Sequence, residues 1–338
     1  MNISHVHSDL ERAYAELGKV VVGQEHLCKQ LFIAMLAGGH VLLEGVPGVA
    51  KTLAVSTFAT VVGGSFSRIQ FTPDLVPSDI VGTRIFRQDT SEFLLDLGPV
   101  MANVVLADEI NRAPAKVQSA LLEVMAEHQV SIAGTTTAVP EPFLVLATQN
   151  PIENQGVYPL PEAQRDRFLF KVVVGYPTPA QEREIVYRMG ATPPVPRRIL
   201  TTEQILSLQR ATREVFVHHS LIDYVVAVVE LTRNPLRAEL HDVNRWLSYG
   251  ASPRATLGAV TAARAHALFS GRDYVIPEDI VAVLPDVLRH RLVLSYEGLA
   301  DSVTPETIID RVLSHVRLPQ ASTTTTTPDA VSGPGGLA

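Results

Sequence analysis

Residues 43–52 read Leu43-Glu44-Gly45-Val46-Pro47-Gly48-Val49-Ala50-Lys51-Thr52: the end of an apolar run, a glycine-rich turn and the opening of a helix. Gly45 and Gly48 let the backbone bend so that successive N–H groups point inward at one set of oxygen atoms. The helix beginning near Lys51 adds its positive N-terminal end. Lys51 supplies a mobile charge suited to the β- and γ-phosphates of a nucleotide, and the Thr52 hydroxyl is a ligand type for Mg²⁺. In the pattern G-x-x-x-x-G-K-[ST] the residue before the lysine is glycine. Here it is Ala50, a good helix former that fits if that position is already helical. Gly45, Val46, Pro47, Gly48, Val49, Ala50, Lys51 and Thr52 are therefore the candidate phosphate-binding residues. A strand, such a turn and a helix in succession form the opening unit of an α/β domain.

A phosphate loop needs an acidic partner on a neighbouring strand, and Val104-Val105-Leu106-Ala107-Asp108-Glu109 supplies two carboxylates at the end of an apolar run. Asp108 can hold Mg²⁺ through water together with Thr52, and Glu109 can orient or deprotonate an attacking water. The next apolar run ends in Thr148-Gln149-Asn150. Asn150 either bonds the γ-phosphate and the water or forms a turn before Pro151. Arg167, in Pro161-Glu162-Ala163-Gln164-Arg165-Asp166-Arg167-Phe168, precedes a strand on an exposed flank. It could stabilise transition-state charge in a neighbouring subunit, or pair with Asp166 or Glu162. Arg254 follows Ser252-Pro253 in the first turn of a helix, where the macrodipole disfavours a cation. It calls for an anion, either a nucleotide phosphate or a nearby carboxylate.

His40–Leu43, Phe66–Phe71, Val104–Ala107, Phe143–Ala147 and Phe168–Val174 are short and apolar or β-rich, as buried parallel strands are. Thr52–Val62 and Ala113–Glu127 between them read as helices. In the second, Val117, Leu121, Val124 and Met125 form the apolar face, and Lys116, Glu123 and Glu127 the polar one. This alternation predicts an α/β domain whose ligand site lies at the carboxyl ends of the strands. Past Tyr176 the strand pattern stops. Helical windows follow at Glu203–Val215, Leu221–Thr232, Pro253–Phe269 and Pro277–Leu288, with Thr202, Ser252 and the Pro277-Glu278-Asp279 run as start signals. The expected division is 1–176, an α/β nucleotide-binding domain; 177–319, an all-helical lid; and 320–338, a disordered low-complexity tail. Gly134–Ala138 reads as a hairpin tip between Val130–Ala133 and Val139–Val145.

A chain of 338 residues is long enough for two domains. Its net charge of −7 argues against bulk electrostatic binding of nucleic acid. No apolar run approaches the roughly 20 residues that span a bilayer, and Met1–Arg12 lacks the basic-then-apolar pattern of a signal peptide. The single cysteine, Cys28, sits in an apolar-periodic stretch as a small buried hydrophobe and is expected in a reducing, cytoplasmic setting. His5 with His7, and His218 with His219, lack a third ligand at metal-binding spacing and read as solvated or capping residues.

Together these segments resemble the MoxR family of AAA+ ATPases, a class with a parallel-sheet P-loop domain followed by a helical lid. The likeness also rests on Val22-Gly23-Gln24, Gln70–Asp79, Ala147–Glu153, Tyr158–Phe168, Gly250–Ala255 and Gly271–Val275 with Pro277-Glu278-Asp279. The resemblance implies that Lys51 and Thr52 belong to Walker A, Asp108 and Glu109 to Walker B, and Asn150 to sensor 1. It implies that Arg167 is the arginine finger and Arg254 sensor 2, although Arg165, at a position usually apolar in relatives, leaves two arginines as candidates. It further implies Mg-ATP bound between the α/β domain and the lid, a homo-oligomeric, hexameric ring, and a client protein of the von Willebrand factor A-domain type. It makes the Gly134–Ala138 stretch the hairpin before sensor 1. A nucleotide-dependent binding switch and a magnesium-chelatase-like motor subunit are the alternatives. Glu109 favours turnover, because a pure switch needs no base beside Asp108. No Asn-Lys-x-Asp segment for reading guanine occurs.

Overall fold

The computed structural model describes residues 3–89, 91–150, 156–190 and 193–319; the tail assigned to 320–338 lies outside them. Two helices, α1 (Ile3–Val20) and α2 (Glu25–Ala37), lead into β1 (Val41–Gly45), α3 (Lys51–Val61) and β2 (Phe66–Gln70). A short α4 (Pro77–Val81) opens onto an antiparallel hairpin, β3 (Gly82–Arg87) and β4 (Glu92–Leu97). Then come β5 (Val104–Asp108), α5 (Ala115–Glu127), a second hairpin of β6 (Gln129–Ile132) and β7 (Thr135–Ala138), β8 (Leu144–Gln149), α6 (Glu162–Arg165) and β9 (Phe170–Val174). Five of these strands form one parallel sheet in the order β2-β5-β8-β1-β9. They are the five apolar runs of the sequence. The central strands β5 and β8 are buried almost throughout because helices cover both faces.

Beyond β9 the chain is mostly helical: α7 (Pro179–Met189), α8 (Thr202–Glu214), α9 (His219–Arg233), α10 (His241–Trp246), α11 (Pro253–Phe269), α12 (Pro277–Leu288), α13 (Tyr296–Ala300) and α14 (Pro305–His315). It is not wholly so. A two-stranded ladder joins β10 (Leu247–Tyr249) to β11 (Val293–Leu294), too short for its period-2 pattern to stand out. The change of architecture near Tyr176 is not a break in packing. Leu31, Phe32 and Met35 of α2 share one buried cluster with Ala255, Ala259 and Ala262 of α11 and with the sheet residues Val41 and Phe170. Small residues along α11 permit this close approach.

Local signals were mostly obeyed, with shifts of a residue or two. The first turn of α8 is capped by Thr201, not Thr202: the Thr201 hydroxyl accepts from the Gln204 N–H and the Gln204 side chain returns the bond. Ser252 caps α11 and the Asp279 carboxylate caps the start of α12, as their start signals implied. The second hairpin turns at Ala133-Gly134, both with positive φ, and Thr135–Ala138 is its return strand, not its tip. His218 caps α9. Cys28 is buried, and burial pushes its thiol up to about 12. Among the described residues there is no cluster of three His, Cys, Asp or Glu able to hold a metal, and no helix long and apolar enough to cross a membrane.

Candidate functional site

Parallel register brings the strand ends together. Gln70 pairs with Asp108, Leu43 with Thr148 and Glu44 with Gln149, so the turn after β1, the carboxylates after β5 and Asn150 after β8 meet at one edge of the sheet. They line a cleft of about 560 Å³ with Pro47, Gly48, Ala50, Lys51 and Thr52 on one side and Arg68, Gln70, Asp108, Glu109, Thr148 and Asn150 on the other. Such a crevice lies at a topological switch point, because the chain leaves β1 for the far edge and returns to its other side at β9. Val46 and Val49 do not line the cleft; Val49 is buried in the core and Val46 packs against it, anchoring the loop.

Backbone geometry explains the loop's residues. A Cβ on Gly45 would lie 2.5 Å from the Val174 carbonyl oxygen, so β9 leaves room there for glycine only. Gly48 has φ +84°, the left-handed region. Ala50 also has positive φ (59°), so the condition that it already be helical is not met. It is the residue before α3, and its carbonyl accepts the first helical bond from the Ala54 N–H. Lys51 folds back so that Nζ donates to the Gly45 carbonyl at 2.6 Å. Burial draws its ammonium below the usual lysine range, while Asp108 and Glu109 oppose that.

The carboxylates are held by residues that the sequence did not single out as site residues. Asp108 accepts from the Thr148 hydroxyl at 2.6 Å through Oδ1, and from Arg68 Nη2 at 2.6 Å and Nε at 3.1 Å through Oδ2. Glu109 accepts from Gln70 Nε2 at 2.7 Å and from Arg112 Nε at 3.1 Å. It stands in the left-handed region, with φ 56°, and its N–H donates to Thr148 Oγ1. Strain of this kind persists where surrounding bonds over-determine it and turns a side chain toward a site. Arg68 and Gln70 alternate along β2, which would have put both on one face; nothing in the sequence says which face meets Asp108.

The two remaining arginines are elsewhere. Arg167 and Arg254 line a second cleft of about 350 Å³, together with Asp166, Arg291, His40 and Leu257. No residue of α7–α14 is among those lining the Lys51 cleft. The cause is the docking of α11. Its capping residue Ser252 donates to the Asp166 carboxylate at 2.8 Å, which ties the helix start to the segment before β9. Arg167 is exposed and donates from Nη1 to the Leu122 carbonyl at 2.8 Å. Neither proposed salt-bridge partner holds it: Asp166 is bonded to Arg291 and Ser252, and Glu162 lies 3.9 Å from Arg165. Arg165 is partly buried and does not line the cleft.

Comparison with known proteins agrees with this architecture. Residues 40–170 match the family model of the ATPases associated with various cellular activities (AAA), and 240–312 match the AAA lid domain. The chain is 64% identical over 319 residues to Chaperone MoxR1 of Mycobacterium tuberculosis, covering 94% of this chain and 84% of that protein. It is 34% identical over 312 residues to Protein MoxR of Methylorubrum extorquens, covering 87% and 90%. A crystal structure from Cytophaga hutchinsonii, of a protein proposed to be an ATPase, superposes with a TM-score of 0.89 at 44% identity, covering 94% of this chain and 97% of that one. With a phosphate loop, a carboxylate pair and a lid in this order, the chain belongs to the MoxR family of AAA+ ATPases.

Proposed function

We propose that this ATPase works as a ring, hexameric in the form the family resemblance implies, in which each subunit's arginine pair completes the Mg-ATP site of the next. The observation that carries this reading is the separation of the two clefts. Arg167 stands before the N-terminal end of β9, and the phosphate loop follows the C-terminal end of β1, its register partner from Val41↔Phe170 to Gly45↔Val174. Four residue steps put roughly 13 Å of strand between those edges, longer than an arginine side chain. Neither Arg167 nor Arg254, joined to it through Asp166, serves its own Lys51 cleft. Three arginines, Arg167, Arg254 and Arg291, and one carboxylate, Asp166, line the second cleft, and Arg291 pairs with that carboxylate. A neighbour's triphosphate would satisfy that imbalance in a head-to-tail contact of the ring-closing type.

The residues of the first cleft fit Mg-ATP. Gly48 and Ala50 turn loop N–H groups toward the cleft, and Lys51 exchanges the Gly45 carbonyl for phosphate. Thr52, and Asp108 through water, would hold Mg²⁺, which would supply charge neutralisation to the phosphoryl oxygens. Glu109 accepts the proton of the attacking water or orients it, and Asn150 holds the water and γ-phosphate. Exposed Arg167, not Arg165, is the residue free to cross. The work is remodelling of a client protein, a reading supported by the relative named a chaperone. A client with a von Willebrand factor A domain is the partner class implied by the family, and the cytoplasm is the proposed location.

Mixing two inactive variants tests the ring. Arg167→Ala keeps its own phosphate loop, and Lys51→Ala keeps its arginines. Some interfaces in a mixed ring then join an intact loop to an intact arginine. ATP hydrolysis is expected to recover in part, peaking at intermediate ratios and vanishing on dilution. No recovery, with mixed oligomers confirmed by native mass spectrometry, would place Arg167 outside the neighbour's site.

A further inference from the structure

We infer that Asp166, Arg291 and Ser252 are positioning residues that hold Arg167 and Arg254 as one rigid unit for action on the neighbouring subunit. The inference rests on the trans reading above and adds to it the device that sets the geometry of the pair. Arg291 lies in the turn three residues after the lid's α12 and is only 7% exposed. It makes five hydrogen bonds, four of them to residues 166–169: Nε to Asp166 Oδ1 at 2.8 Å, Nη2 to the Asp166 and Phe168 carbonyls at 3.1 and 2.6 Å, and Nη1 to the Leu169 carbonyl at 3.1 Å. The fifth, from Nη1 to the Val287 carbonyl, anchors the guanidinium to the preceding α12. The clamp therefore surrounds Arg167 on both sides in sequence without touching its guanidinium.

The same carboxylate reaches the second arginine. Asp166 accepts from Ser252 Oγ, and Ser252 Oγ accepts from the Arg254 N–H at 3.2 Å. One chain of bonds thus runs from α12 through the segment before β9 to the first turn of α11. A planar, buried guanidinium with several fixed acceptors is suited to orientation. Fixed orientation is what a transition-state clamp needs, since a displacement of about 1 Å at a distance from the chemistry can cost 10²-fold in rate. His290 reinforces the seam by donating from Nε2 to the Phe168 carbonyl at 3.0 Å.

The test uses the full chain in mixed rings of Lys51→Ala subunits, which donate arginines, with Arg167→Ala subunits, which hold nucleotide. Asp166→Asn, Arg291→Lys or Ser252→Ala is introduced into one background at a time. Carried on the donor, each is expected to lower the recovered kcat about tenfold with KM for ATP unchanged. Carried on the nucleotide holder, each leaves the recovered rate within about twofold, because that subunit's arginine is already gone. Ser252→Thr on the donor, which keeps the hydroxyl, restores the rate. Ser252→Ala removes one exposed-side link and decides the matter if Arg291→Lys does not fold. Equal losses in both backgrounds, or no loss in either, would overturn the inference while leaving the trans reading intact. Failure of the parent mixture to recover would remove the trans reading and this inference with it.

Discussion

Arg68→Met separates two jobs that the Lys51 cleft asks of one carboxylate. Asp108 Oδ2 accepts two bonds from Arg68, at 2.6 and 3.1 Å. Hydrogen bonds to charged groups contribute about 1.5–3 kcal/mol when well buried, and exposed ion pairs 0–1. The Asp108 side chain is 14% exposed but that of Arg68 is 49% exposed, so the contact is screened on one side. About 1 kcal/mol is the resulting magnitude. A metal ion held by Asp108 must compete with that contact, so removing it should tighten Mg²⁺ about fivefold, the factor that 1 kcal/mol represents. ATP without the metal should respond oppositely, since Arg68→Met takes a cation from the proposed phosphate cleft. The assay is displacement of a fluorescent ATP analogue, titrated with Mg²⁺ at fixed ATP and with ATP in excess chelator. An unchanged or raised Mg²⁺ half-saturation in the variant would refute the idea that Arg68 competes for Asp108.

Lys51→Ala should abolish calorimetrically measurable ATP affinity while circular dichroism stays native, because Lys51 lies outside the buried clusters. Glu109→Gln keeps size and hydrogen-bonding reach but not basicity, so ATP should bind while turnover falls by orders of magnitude; wild-type turnover would favour the switch. His40 gives a pH prediction. Burial holds its imidazole down at about 4, the Met125 carbonyl bond opposing, against an ordinary 6.5. The unfolded chain therefore takes up a proton that the folded chain refuses. Stability should be complete above pH 6.5 and fall toward pH 4, by up to roughly 3 kcal/mol. His290, also drawn well below its usual range by burial, acts in the same direction. Urea unfolding at pH 7.5 and 5.0 measures this, and His40→Asn should flatten the dependence.

The parts legible in the sequence were those whose physics is local. Val104–Ala107 and Phe143–Ala147 are apolar on both faces and became the central strands. The apolar stripe Val117, Leu121, Val124 and Met125 became the buried face of α5. The hairpin of β3 and β4 was missed, although Phe86 and Phe93 pack there, because both of its faces are exposed and its pattern never settles into clean alternation. Arg68 and Gln70 were missed for a related reason. On an edge strand they look like ordinary solvated residues until the register with β5 sets Gln70 beside Asp108.

The proposed phosphate loop needs left-handed or Cβ-free backbone and a lysine within eight positions, so residues 45–52 made it legible by themselves. Asp108 and Glu109 followed from it, since a strand delivers its last residues to the sheet edge wherever it is placed. Which cleft each arginine occupies depended on contacts far apart in sequence: Ser252 with Asp166, and Arg291 with residues 166–169. Those contacts exist only after α11 has packed its small residues against α2 and α12 has docked beside β9. Side-chain type announced that Arg254 lacked an anion. The packing of helices onto the sheet decided that Arg254 lines the Asp166 cleft and not the Lys51 cleft.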